Sequence, residues 1–316
     1  MHLPPEFIQT IKNTFGADGE AWLASFPDLF AEASHCWGLT EIQPISNLSY
    51  NFVAFAHRLP SPLGSPTGVL REEAGGEGEV ILKLGVPNRE LTSEITALRL
   101  YNGRGACRLL DAEPEKGMLL LERLQPGNVL SELENDEQAT HIAADVMRQL
   151  WQPVPGDAEN FIQLKDWFDG FKRLRQRYNG KTGELPKRLV ETAESLSQEL
   201  LSENKDETLL HGDFHHYNVL KSERGWLAID PKGVVGPRGY EVGPLLINPI
   251  HRFLNGSNPR VQTEKRIAIL SEMLGMGRER IRSWGICHAV LSAWWSVEDG
   301  EDWKHAIRCA EIFLTI

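Results

Sequence analysis

Three oxygen-bearing side chains within one short stretch carry the most chemistry in this chain. The run LLHGDFHHYNVLKSERGWLAID, residues 209–230, opens on apolar Leu209 and Leu210 and continues into His211-Gly212-Asp213. Asn218 follows five residues after Asp213, and Asp230 closes an apolar Trp226-Leu227-Ala228-Ile229. A carboxylate on a rigid loop can orient an acceptor hydroxyl and relieve it of its proton. An amide oxygen and a second carboxylate are hard donors of the kind that hold magnesium on nucleotide phosphates. The order base, amide, then second carboxylate after a hairpin is the pattern that phosphoryl transfer uses. Residues 219–221 and 225–229 read as strands joined by Ser222-Glu223-Arg224, a hairpin that would return Asp230 to Asn218.

Other readings of these residues have to be set beside that one. A lone Asp or Asn in such a stretch is as a rule a turn residue, but the whole pattern is much more specific. A transition-metal centre is a rival chemistry, because His211, Asp213, His215 and His216 are good ligands. A metal-dependent hydrolase would need further ligand clusters, and no others have suitable spacing in the sequence.

HGDFHHYNVL followed by GWLAIDPKGVVG resembles the aminoglycoside phosphotransferase family, within the protein-kinase-like fold. The run WLAIDPKGVVGPRGYEVGPLLINP is most similar to the streptomycin 6-phosphotransferase and hydroxyurea phosphotransferase branch. The strong likeness covers about forty residues. That branch usually carries Pro-Gly before the loop Asn, where this chain has His216-Tyr217, a departure that bears on the acceptor more than on the reaction. The resemblance implies a two-lobed α+β fold. An N-terminal lobe over residues 1–124 would hold a mainly antiparallel sheet, and residues 125–316 would form a mostly helical lobe with the catalytic loop. It implies ATP bound in the cleft between them, with Mg2+, in a cytoplasmic phosphotransferase acting on an alcohol group. Asp213 would orient and deprotonate the acceptor, and Asn218 and Asp230 would hold magnesium. The acceptor would be an aminoglycoside such as streptomycin, with an antibiotic-resistance role, or hydroxyurea. An ordinary metabolite alcohol, or a nucleotide-binding protein without catalysis, is the alternative. A protein kinase is disfavoured, because residues 231–240 contain no Ser or Thr to phosphorylate.

Further elements must position these groups. Residues 4–37 carry two apolar stripes at helical spacing, Phe7, Ile8, Ile11 and Phe15, then Trp22, Leu23, Phe26, Leu29, Phe30 and Ala33. Their aromatics read as packing. Residues 39–45 and 51–58 read as strands around Ser46-Asn47-Leu48-Ser49-Tyr50. A kinase places its glycine-rich phosphate loop at this point, and Ser46 and Asn47 can turn tightly and donate as well. A plain hairpin turn would look identical. Residues 59–79, rich in Pro, Gly, Ser and Glu, read as a long exposed loop. Residues 80–84 form an apolar strand with one cation, Lys83. The helix over 88–101 turns Leu91, Ile95 and Leu98 inward. Glu94 borders that face, where a carboxylate is costly without a cation. Lys83 satisfies it, and the pair would hold the ammonium against nucleotide phosphates. Glu90 lies further round the helix.

Residues 108–111 and 118–122 read as strands joined by Pro114-Glu115-Lys116-Gly117. The break at Gln125-Pro126-Gly127 fits a hinge, with adenine bonding to backbone groups near Glu122 to Leu124. From about residue 130 the chain reads as mostly helical, over 136–151, 164–178, 186–202, 258–274, 279–297 and 302–316. Lys172, Arg173, Arg175 and Arg177 read as a solvated or ion-paired face. Lys232 would touch phosphate or pair with a loop carboxylate. Glu241 would support the catalytic loop through its backbone, alongside His211. An aromatic and acidic rim of Trp294, Glu298 and Asp299 would suit a guanidinium or amine, with His216 and Tyr217 as further substrate residues, although core tryptophans beside surface acids are the commoner arrangement.

The totals set bounds. With 41% hydrophobic and 24% charged residues over 316, the composition is that of a globular chain with a good core. A net charge of −11 argues against nucleic acid as a partner and would suit a cationic substrate by steering, although a solubilising surface explains most of it. The resemblance implies a cationic or polyhydroxylated small-molecule partner. Four scattered cysteines lack metal or disulfide spacing and suit a reducing compartment. The first residues do not read as a signal peptide, and no apolar run reaches membrane-spanning length. Oligomeric state leaves no mark in the sequence.

Overall fold

The computed structural model describes residues 2–60, 78–154, 156, 161–202, 207–250 and 258–316. The loop expected over 59–79 lies, at 61–77, outside the described residues. The chain divides into two compact units, Met1–Gly103 with Cys107–Leu124, and Arg104–Ala106 with Gln125–Ile316.

The first unit begins with α1 (Pro5–Trp37), two helices in tandem that meet at Gly16, whose φ of 54° and ψ of −127° break the helical path. The two apolar stripes of the sequence correspond to its two halves. Next come β1 (Leu39–Pro44), β2 (Asn51–Arg58), β3 (Gly78–Gly85), α2 (Arg89–Tyr101), β4 (Leu109–Glu113) and β5 (Met118–Glu122). The five strands form one sheet in the order β1-β2-β3-β5-β4, antiparallel throughout. Period-two alternation turns Phe52, Ala54 and Ala56 of β2 to the buried side. There they meet Phe7, Ile11, Trp22 and Phe26 of α1 in one core, with Phe26 and Phe52 edge-on at 5.1 Å. Central β3 sets Lys83 opposite Val53 on one neighbour and Leu119 on the other. Asn88 starts α2 by accepting a hydrogen bond from the Leu91 N–H at 2.9 Å.

The second unit contains β6 (Pro126–Val129), α3 (Asp136–Leu150), β7 (Gln152–Pro153), β8 (Ile162–Gln163), α4 (Leu164–Phe168), α5 (Gly170–Arg177) and α6 (Lys187–Ser202). It continues with β9 (Thr208–Leu210), β10 (Val219–Ser222), β11 (Gly225–Ala228), β12 (Val234–Gly236), α7 (Val242–Leu246), α8 (Pro259–Leu274), α9 (Arg278–Asp299) and α10 (Lys304–Phe313). Helix α9 is its axis. Every residue from Trp284 to Leu291 is buried, as expected of a helix packed on all sides rather than along one stripe. Neighbouring helices α5, α6, α7, α8 and α10 all pack on it.

The mostly helical reading beyond residue 130 holds, with additions in detail. Two small sheets run through this unit, β11-β10-β6 and β7-β9-β12-β8. Apart from the β10–β11 hairpin, which the sequence shows, these strands of two to four residues are too short to show a period. The helix expected over 164–178 is split at Asp169 into α4 and α5.

Candidate active site

In the first unit, the Lys83 ammonium lies 2.7 Å from each oxygen of Glu94. The two side chains are 5% and 6% exposed. Glu94 shares the buried face of α2 with Leu91, Ile95 and Leu98, while Glu90 is exposed. In such burial each charge depends on the other, because an unpaired ion there would carry its full desolvation cost. Ser46 and Asn47 are exposed in the segment between β1 and β2. The Glu122 carboxylate accepts the Arg108 N–H at 2.9 Å, and the Glu122 N–H donates to the Arg108 carbonyl at 3.0 Å. Leu124 is buried.

In the second unit, β9 delivers the chain into His211-Gly212-Asp213. The Glu241 carboxylate accepts the His211 N–H at 2.8 Å and the Gly212 N–H at 2.9 Å, one on each oxygen. The His211 ring faces the Ile229 carbonyl through Nε2 at 2.8 Å, and its Nδ1 accepts the Asp213 N–H at 3.3 Å. Gly212 sits at φ +88°, and a Cβ there would lie 2.6 Å from Val234 Cγ2. Both the backbone angle and the space exclude a side chain. Asn218 donates from its amide nitrogen to the Asp213 carbonyl at 3.0 Å. Register in the β10–β11 hairpin runs from Ser222 opposite Gly225 at the turn to Val219 opposite Ala228. Its open end is closed by the Ile229 N–H on the Asn218 carbonyl at 2.9 Å. Asp230 follows directly, in the left-handed region at φ +59°.

The loop therefore brings Asp213, Asn218 and Asp230 to one frame of backbone hydrogen bonds. Their carboxylates remain accessible, 39% for Asp213 and 37% for Asp230. Lys232 Nζ lies 3.6 Å from Asp230 Oδ2, and His215 Nε2 lies 3.5 Å from Asp213 Oδ1. Burial pushes the Asp213 carboxyl up, but His215 and Lys232 hold it well below the usual carboxylate range. Burial lowers His211 to about 4 against the pull of Asp213, so its ring is neutral near pH 7. Burial raises Glu241 to about 7, opposed by the N–H groups of Gly212 and His211.

The donors present fit magnesium. Committing the Asn218 amide nitrogen to the Asp213 carbonyl leaves its oxygen for a cation, and Asp230 adds a carboxylate. Magnesium is commonly held by one or two carboxylates together with substrate phosphates rather than by an all-protein cage. Among the described residues no group of three or more His, Cys, Asp or Glu is arranged to hold a metal ion.

The expected acidic and aromatic rim is placed differently. Trp294 is 1% exposed and belongs to the core of α9, because its direction on the helix points toward α5, with Gly170 against its ring. Glu298 is held by Arg173 through two hydrogen bonds of 2.9 and 3.1 Å. Asp299 is exposed at the end of the helix. His216 is fully buried, whereas Tyr217 is 41% exposed. Sequence reasoning left out Trp167 and gave Trp295 no site role; both stand half-buried near the loop. The signal for Trp295 was its seven-residue spacing from His288 along α9.

The model of the aminoglycoside/hydroxyurea antibiotic resistance kinase family matches residues 67–300. The chain is 29% identical over 302 residues to a streptomycin 6-kinase of Streptomyces glaucescens, covering 95% of this chain and 92% of that protein. It is 32% identical over 306 residues to a hydroxyurea phosphotransferase of Kitasatospora aureofaciens, covering 95% and 82%. Among solved structures, a choline kinase of Streptococcus pneumoniae aligns with a TM-score of 0.60 at 14% identity, over 92% of this chain and 99% of that one. A thermostable aminoglycoside phosphotransferase mutant with ADP and hygromycin B aligns at 0.57 and 14%, over 90% and 96%. These two carry the fold, which is protein-kinase-like and mixed α+β. The sequence matches carry the family: the chain belongs to the aminoglycoside/hydroxyurea antibiotic resistance kinases.

Proposed function

We propose that this protein transfers the γ-phosphoryl group of ATP to a hydroxyl of a small molecule. The acceptor is of the aminoglycoside kind that its streptomycin kinase relatives use, or hydroxyurea. The observation that carries the reading is the frame in which Asn218 bonds to the Asp213 backbone and Ile229 bonds to Asn218, with Asp230 next in the chain.

Asp213 accepts the hydrogen bond of the acceptor hydroxyl and aims its oxygen. A carboxyl held this acidic stays anionic at working pH, so its main contribution is orientation, with the proton leaving late in a loose transition state. The Asn218 oxygen and Asp230 carboxylate would hold magnesium, which when bound offsets the phosphate charge. Lys83, fixed by Glu94, binds phosphate oxygens of the nucleotide. Ser46 and Asn47 cover phosphate, and the backbone near Glu122 and Leu124 receives the base. Glu241 and the neutral His211 ring hold the backbone that carries Asp213.

The test is a phosphotransfer screen with ATP and magnesium over streptomycin, other aminoglycosides, hydroxyurea and simple alcohols, read by mass of the product. Acceptor-dependent phosphorylation is expected, falling about 10²–10⁴-fold in Asp213→Asn. ADP formation indifferent to every acceptor, or unaltered transfer by that variant, would overturn the reading.

A further inference from the structure

Beside the catalytic loop lies an aromatic corner that phosphoryl transfer does not itself require. Trp167 of α4 and Trp295 of α9 meet edge-on, with ring centroids 5.5 Å apart and planes at 86°. A Cβ built on Gly212 would stand 3.1 Å from Trp167 Cη2, so the tip of this indole abuts the residue preceding Asp213. Behind the corner, Tyr240 lies 5.9 Å from Trp167 and His288 lies 6.2 Å from Trp295. The Tyr240 hydroxyl and His288 Nδ1 are joined at 2.9 Å, and Trp284 closes on Tyr240 edge-on at 5.8 Å.

This backing is sealed and uncharged. Tyr240 and Trp284 have no exposed surface and His288 has 5%. Burial keeps His288 neutral, at about 4, and the Tyr240 phenol protonated. Trp167 and Trp295 are the members that keep open surface. Partly exposed indoles on a rigid apolar backing, next to the group that aims the acceptor, leave aromatic surface for a ligand. The charge around them favours a cation. Asp213 lies on one side, and Asp299 lies one helical turn beyond Trp295 on the same face of α9. Lys232 shares the surroundings of Gly212 with Trp167, and its ammonium lies 3.6 Å from Asp230. Arg173 is occupied by Glu298.

We infer that Trp167 and Trp295 dock the acceptor by receiving a guanidinium- or ammonium-bearing ring against their indole faces, which presents a neighbouring hydroxyl to Asp213. This rests on the phosphotransfer reading of Asp213. It makes the preferred acceptor a cationic cyclic alcohol rather than a molecule as small and uncharged as hydroxyurea.

The test is a binding titration of the full chain with streptidine, a diguanidino cyclitol, and with scyllo-inositol, an uncharged cyclitol of the same ring size. The wild type binds streptidine more tightly. Trp167→Leu or Trp295→Leu weakens streptidine about 3- to 30-fold, the range of a cation on an aromatic face, and leaves scyllo-inositol little changed. Trp167→Phe and Trp295→Phe retain most of the preference, and they also serve if a leucine variant fails to fold. The inference is overturned if the wild type does not favour streptidine, if the leucine variants bind it as the wild type does, or if they lose both cyclitols equally. Because binding needs no turnover, the titration judges the corner separately from the Asp213 assay.

Discussion

The Lys83–Glu94 pair and the Asp213 loop hold their charges by opposite means. Lys83 and Glu94 project from a central strand and a helix into a core that leaves them 5% and 6% exposed, and each is the counter-charge of the other. Asp213 and Asp230 are more than a third exposed. They sit on irregular backbone that is fixed from behind by Glu241, His211 and Asn218. In the first case the polar groups are part of what the fold must satisfy. In the second, the fold satisfies the backbone and leaves the carboxylates partly exposed. Substitution should therefore cost stability in one region and chemistry in the other.

The largest effect expected is on chemistry. Asp213→Asn should lower kcat by about 10²–10⁴ while costing no more than about 1 kcal/mol of unfolding free energy, the worth of its exposed ion pairs. A thermal midpoint that falls as far as for a core mutation would break the contrast. Glu94→Ala should do the reverse at the level of the fold. It strands a buried ammonium, at a cost of about 3–5 kcal/mol by urea unfolding. The double variant Lys83→Met with Glu94→Leu sharpens the point, because it should recover much of that loss without recovering ATP turnover. Gly212→Ala should fall between the two. A positive φ and the close Val234 methyl should cost about 1–3 kcal/mol, and displacement of Asp213 should lower kcat as well.

The smallest effect is a pH slope. Glu241 is raised to about 7 from an ordinary 4.5, so between these values the folded chain holds a proton that the unfolded chain has released. Its stabilising contribution is full below about 4.5 and is lost as pH rises through about 7. Unfolding of the wild type and of Glu241→Gln, compared from pH 5 to 8, should show the difference in stability, wild type minus variant, shrinking as pH rises. A constant difference would mean that the two backbone N–H groups keep the carboxylate ionised throughout.

Much of this contrast can be read along the chain. Lys83 and Glu94 lie on neighbouring regular elements, where apolar spacing fixes which face is buried, and the only cation on the strand meets the carboxylate bordering the inward face. The β10–β11 hairpin was legible because its two short strands flank a turn, and so was the return of Ile229 and Asp230 to Asn218. Strand β6 and the sheet β7-β9-β12-β8 were not. Their strands are two to four residues long and pair with partners up to about a hundred residues away, so no local period announces them.

Residue types and spacing determined that a carboxylate, an amide and a second carboxylate would share one loop, and that a lysine would need a glutamate. Tertiary structure decided which tryptophan faces outward. Trp294 and Trp295 are adjacent on a helix packed on nearly every side, about 100° apart around its axis, and the spacing of Trp284, His288, Leu291 and Trp295 marks a face without saying what covers it. Only the positions of α4 and α5 bury the first and leave the second beside Trp167. Where every face of a helix has a neighbour, exposure is a property of those neighbours, and the helix sequence alone does not contain it.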